Sequence, residues 1–153
     1  MTDRKSTGEL DKVLGKLNPD RIADYLSEQA ANLYAEENAF SAYLKEMIRK
    51  NGFTQQEVFL RADMPERYGY KIISGEKHTV QRDVIIRLCV AAMLSLAETN
   101  RALKLYGCSQ LYSRQPRDAV IIVAINHRIR DIDEINDLLK SNGFEPLYSF
   151  SLD

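Results

Sequence analysis

The chain has 153 residues, 44% of them hydrophobic and 28% charged, and a formal net charge of −1. That length supports one good core or a small domain with an appendage, and the composition excludes a disordered or fibrous chain. The near-neutral total gives no support to a polyanion partner, but the charge is unevenly spread: residues 1–38 hold five basic against eight acidic side chains, residues 39–82 eight against five, and residues 83–153 eight against nine.

In chain order, residues 1–18 are polar and are punctuated by Gly8 and Gly15. A Ser6/Glu9 capping box and the stripe Leu10, Val13, Leu14 and Leu17 allow one short helix, either a fraying tail or an amphipathic segment that docks a partner. Asn18-Pro19-Asp20 starts an N-terminal helix over residues 19–38, with asparagine as cap and proline at the first helical position. A second helix is expected from Phe40 to Lys50, since Phe40, Tyr43, Leu44, Met47 and Ile48 fall on one face and Gly52 ends it. Thr54 and Glu57 form a capping box for a helix carrying Val58 and Ala62; Asp63, Met64 and Pro65 break that helix. Pro65 then opens another, which runs to Gly75. After the polar turn Glu76–Thr79, helices are expected from Val80 to Met93 and from the Ser95/Glu98 capping box to Gly107.

The remaining segment repeats this last hairpin. A shift of 36 positions places Val84, Ile85 and Ile86 on Val120, Ile121 and Ile122. It also places Glu98, Asn100, Leu103, Lys104, Gly107, Leu111 and Tyr112 on Glu134, Asn136, Leu139, Lys140, Gly143, Leu147 and Tyr148. These identities mark an internal repeat of a helical hairpin closed by glycine and a Leu-Tyr step. The domain reading is therefore a flexible segment over 1–18, a helix over 19–38, a helix-turn-helix domain over 39–112, and a C-terminal hairpin over 113–153 repeating 83–112.

The Thr54-Gln55-Gln56-Glu57 start, the spacing from Gln55 to Gly75 and the Ile72-Ile73-Ser74-Gly75 finish resemble the lambda-repressor-like, XRE-type family of helix-turn-helix proteins. The resemblance spans residues 40–106, and the wider layout is similar to a bacterial group of that type. In that group a Tyr-Gly-Tyr-like segment and a Leu-Tyr, Arg-Asp continuation (here Leu111-Tyr112 and Arg117-Asp118) follow five helices. It implies an all-α fold: a five-helix DNA-binding domain with an N-terminal helix and the repeated C-terminal hairpin. By position it also implies base-reading side chains at Glu66, Arg67, Tyr70 and Lys71, with Gln55 near a phosphate. Lys77, with His78 and Arg82, follows that helix and is expected either to touch backbone phosphates or to form a solvated surface. Three residues depart from the family pattern: Phe59 where a small residue is usual, Asp63 in place of a turn glycine, and Gly69 in place of a buried aliphatic side chain. A large ring at Phe59 filling the space left at Gly69 is the expected compensation.

The functional expectation is a cytoplasmic DNA-binding transcription regulator. The alternative is an interaction module that keeps the fold and holds a protein without reading DNA. Partners follow from each reading: double-stranded DNA, a second copy in a two-fold dimer, or a protein taken by the N-terminal segment or the C-terminal hairpin. The run Val120–Ile125 is apolar on all sides, so it is either an interface or a buried helix. No enzyme, metal or cofactor site is expected. His78 and His127 have no partner at catalytic or metal-ligand spacing, Asp131, Asp133, Glu134 and Asp137 read as an acidic first turn, and Cys89 and Cys108 read as reduced thiols. The longest apolar run, Ala119–Ile125, is far short of the roughly 20 residues that cross a bilayer.

Overall fold

The capping boxes at Thr54 and Ser95 form, and the one expected at Ser6/Glu9 lies outside the described residues. Thr54 Oγ1 accepts from the Glu57 amide at 3.1 Å while the Glu57 carboxylate accepts from the Thr54 amide at 3.0 Å, and Ser95 and Glu98 do the same. The computed structural model of the protein describes Lys12, Gly15, residues 19–22 and residues 36–150. The chain divides into two units, Met1–Ala35 and Glu36–Asp153. In the first, the described part is a 3-10 turn over Pro19–Arg21 with Lys12, Gly15 and Ile22 helical around it; the expected tail and N-terminal helix otherwise lie outside the described residues. The second unit contains α1 (Glu36–Lys50), α2 (Gln55–Arg61), α3 (Glu66–Ser74), α4 (Arg82–Ala91), α5 (Leu96–Tyr106), α6 (Pro116–Asn126) and α7 (Ile132–Ser141). Among the described residues there is no strand, and no helix is long and apolar enough to cross a membrane.

Three helix starts differ from the sequence reading. The helix expected at Phe40 begins at Glu36. Pro65 is the N-cap of α3, with φ −55° and ψ 129°, so the helix begins at Glu66. The helix expected from Val80 begins at Arg82, because Gln81 keeps an extended backbone (φ −85°, ψ 102°) and serves as the N-cap. Thr79 N–H donates to the buried Tyr106 hydroxyl at 2.8 Å, and Gln81 N–H donates to Thr79 Oγ1 at 3.0 Å. Val80 is left 92% exposed.

One turn geometry recurs after α2, α4 and α6. Asp63, Met93 and Arg128 take left-handed φ of 52°, 62° and 59°. The next residues, Met64, Leu94 and Ile129, donate their amides to the carbonyls of Phe59, Cys89 and Ala124. This is a Schellman-type ending, with the apolar residue folding back onto the helix it closes. It also fixes the register of the repeat. Met93 and Leu94 correspond to Arg128 and Ile129, an offset of 35, whereas Thr99 N–H to Ser95 O and Ile135 N–H to Asp131 O are offset by 36. Arg130 is therefore an inserted residue in the second turn, and the Val-Ile-Ile identity at offset 36 does not mark equivalent positions. The equivalent pairs are Arg82-Asp83 and Arg117-Asp118.

Those four residues lock the hairpins reciprocally. The Arg82 guanidinium forms a bidentate pair with Asp118, and Arg117 with Asp83. Asp118 accepts the Tyr112 amide and Asp83 the Tyr148 amide, both at 3.0 Å, while Asn100 and Asn136 accept the Leu111 and Leu147 amides at 2.9 Å and 2.8 Å. Exchanging the hairpins leaves this pattern unchanged. The apolar run of α6 is mostly used inside the unit: Ile121, Ala124 and Ile125 are buried, Val120 and Ile122 half-buried, and Val123 is 51% exposed.

Arg87, 3% exposed on α4, joins the C-terminal loop to α2. It donates Nη1 to the Ala62 carbonyl at 3.0 Å, Nη2 to that of Leu147 at 3.1 Å and Nε to that of Tyr148. Replacing it with Met keeps the apolar stem and strands three acceptors. Arg87→Met is expected to lower unfolding free energy by roughly 2–5 kcal/mol in a denaturant melt. The exposed Arg67→Met change should stay within about 0.5 kcal/mol.

Candidate functional site

Helix α3 is amphipathic at a period that buries Gly69, Ile72 and Ile73 and turns Glu66, Arg67, Tyr70 and Ser74 outward. Its C-terminal end is fixed by Gly75 at φ 84°, where an αL backbone lets the amide reach the Ile72 carbonyl. The start of α3 meets the start of α2 directly, as Gln56 Nε2 donates to Glu66 Oε2 at 3.4 Å.

The sequence-derived site residues fall as follows. Gln55 is the first residue of α2 and is half-buried. Glu66 and Arg67 are exposed on the first turn of α3, and among the described residues no hydrogen bond or ion pair engages the Arg67 guanidinium. Tyr70 is 43% exposed, its ring edge-on to Phe59 with centroids 4.9 Å apart. Lys71 is half-buried, and its carbonyl accepts from the Lys77 amide at 3.0 Å. That bond folds the loop back beside α3, where Lys77 Nζ sits 5.2 Å from the Tyr68 ring centroid. Glu66, Arg67, Tyr70 and Lys71 therefore share the outer side of one helix, Lys77 flanks them, and Gln55 stands one residue before the side chain that touches Glu66.

Sequence reasoning passed over Gln56 and the partner against which Tyr68 packs. Tyr68 packs against Phe150 at 4.9 Å, and Phe150 meets Tyr148 at 5.6 Å. An i, i+3, i+4 pattern places Tyr68 at the border of the buried face, but nothing local points to a partner 82 positions away.

The contact between α2 and α3 is unusually close. A Cβ built on Gly69 would lie 2.4 Å from Phe59 Cδ1, so the 1%-exposed Phe59 ring occupies the place of the missing side chain. Asp63 supplies the left-handed turn residue between the helices without glycine.

Other reactive groups sit apart from this surface. Burial pushes the Cys89 thiol far above its ordinary range and raises Cys108 as well, which disfavours both thiolates. Asp131 caps α7 by accepting the amides of Asp133 and Glu134. Among the described residues no three or more His, Cys, Asp or Glu side chains gather as metal ligands. Comparison of the chain with protein-family models, curated proteins and solved structures finds no match.

The interlock can be tested by a mutant cycle. Phe59→Ala is expected to cost about 3–5 kcal/mol. Gly69→Ala should destabilise by roughly 1–3 kcal/mol through overpacking, although alanine is the better helix former. The double variant should cost less than the two changes added together, because removing the ring makes room for the methyl group. An unchanged melting temperature for Phe59→Ala would contradict the interlock.

Proposed function

We propose that the protein is a DNA-binding transcriptional regulator of the XRE helix-turn-helix type, acting in the cytoplasm. In this reading α1–α5 make the lambda-repressor-like domain and α3 is the recognition helix. The observation that carries it is the outer side of α3, where Arg67 and Tyr70 are exposed, with the half-buried Lys71 next to them and Lys77 in the loop beside. Arg67 suits a bidentate contact with guanine, Tyr70 and Lys71 a base edge or phosphate, and Gln55 and Lys77 the backbone. Two copies binding as a two-fold dimer would match the usual half-site geometry of such readers.

A second reading has its own support. Leu60 is 82% exposed beside a cleft lined by Phe59, Met64, Pro65 and Phe150, and Glu66 puts a carboxylate at a base-facing position. These features suit a module that keeps the fold and holds a protein.

Selection of bound duplexes from a random-sequence pool separates the readings. The regulator is expected to enrich a defined motif, with enrichment relaxed at one position by Arg67→Ala. Lys77→Ala should weaken binding to all sequences alike and reduce the salt slope by about one. Absence of an enriched motif, with only weak salt-sensitive binding, would favour the protein-binding module.

A further inference from the structure

The two hairpins are built alike, yet only one of them is covered. Exchanging them carries α4 onto α6 and the loop after α7 onto the loop after α5. On the first side α2 packs on α4, Arg87 reaches the Ala62 carbonyl, and Phe150 of the loop meets Tyr68 of α3. Val84, Ile85, Arg87 and Leu88 are all buried there, and Tyr148 is half-buried against Phe150. Their counterparts are Ala119, Val120, Ile122, Val123 and Tyr112. Of these, Ala119, Val120 and Ile122 are only half-buried, Val123 is 51% exposed and Tyr112 is 53% exposed. Among the described residues no helix lies against α6 as α2 lies against α4.

The uncovered side of α6 has the wrong chemistry for a solvated helix. Every residue from Ala119 to Ile125 is apolar, so the helix lacks the polar stripe that one facing water carries. Its partner α7 does turn charge outward, with Asp133, Glu134, Asp137 and Lys140 exposed. The only charged residues of α6 are Arg117 and Asp118, and both are spent inside the unit on Asp83 and Arg82. An ionic partner therefore finds nothing on this helix to pair with, whereas a second copy brings no like charge against it. Arg87 is replaced here by Ile122, so the matching cover is an apolar side chain and not a main-chain carbonyl. Val120, Ile122 and Val123 are β-branched and already restricted in a helix, so ordering them in an interface costs little entropy.

We infer that the Ala119–Val123 side of α6 is the face through which two copies of the chain associate about a two-fold axis. Tyr112, held at the start of α6 by the bond from its amide to Asp118, borders that face. The same residues then meet on both partners, as an isologous contact requires. An 11-residue helix is about 16 Å long. A patch of that length falls below the roughly 1,200 Å² at which stable interfaces begin, so the dimer is weak and concentration-dependent. No residue of the outer side of α3 takes part, and the inference stands whether or not the chain reads DNA.

The test is sedimentation equilibrium of the full chain without DNA, from about 1 μM to about 1 mM, and a monomer–dimer equilibrium with a Kd on the order of 100 μM is expected. Val123→Lys sets two ammonium groups against each other and should raise that Kd by about tenfold or more. Val123 is half exposed, so this variant keeps the fold and its melting temperature. Leu60→Lys, at the exposed apolar residue of α2, should leave the Kd unchanged. A chain that stays monomeric throughout, a dimer indifferent to Val123→Lys, or a dimer broken by Leu60→Lys would overturn the proposal.

Discussion

A guanidinium with almost no solvent contact holds the second unit together. Burial lowers the pKa of Arg87, and the fields of Asp63, Asp83 and Asp133 work against that shift. None of these carboxylates bonds to it directly. Its donors are spent on main-chain carbonyls at the end of α2 and in the loop after α7. A buried charge left without such acceptors would be costly, so the positions of α2, α4 and the C-terminal loop are mutually constrained. The outer side of α3 inherits this constraint, because α2 carries Phe59 and Phe59 fills the contour of Gly69.

The two hairpins repeat one architecture and differ where the rest of the unit needs them to. Each loop is held by an asparagine of its own hairpin and an aspartate of the other, and each aspartate is clamped by an arginine from across the pair. The salt bridges are only partly shielded, with arginine side chains 24% and 26% exposed, so their specificity comes from bidentate geometry more than from burial. With the offset of 35, Arg87 in the first hairpin corresponds to Ile122 in the second. The symmetric lock is thus shared, and the link to the preceding helices belongs to one copy alone.

Local chemistry was legible in the sequence and distant pairing was not. Thr54/Glu57, Ser95/Glu98 and Asp131 specify helix starts through bonds made within three residues, and Gly52, Gly75 and Gly107 specify ends through backbone angle. The outer side of α3 followed from periodicity, and the complementarity of Phe59 and Gly69 from two departures that only make sense together. The repeat was visible, but its register was misleading: in a helix as apolar as α4, a chance Val-Ile-Ile match outweighs the Arg-Asp pair that defines equivalence. Val80 fitted the apolar pattern of the helix, whereas the extended Gln81 delays the start to Arg82 and bonds to the Tyr106 hydroxyl and Thr79 side chain hold the turn before it. Arg87 gave no local signal at all, since its partners lie 25, 60 and 61 positions away.

The same spacing sets an order of events on the ribosome. Helices α1 to α5 emerge with Arg87 and Asp83 already in place, yet two of the three carbonyls that Arg87 bonds and the amide that Asp83 accepts belong to residues 147 and 148. Until that loop has left the exit tunnel, the nascent domain must keep a guanidinium and a carboxylate hydrated at positions destined to be enclosed. Final consolidation of the segment bearing α2 and α3 is therefore tied to translation of a stretch more than sixty residues downstream, and the outer side of α3 is set only when the second hairpin closes behind it.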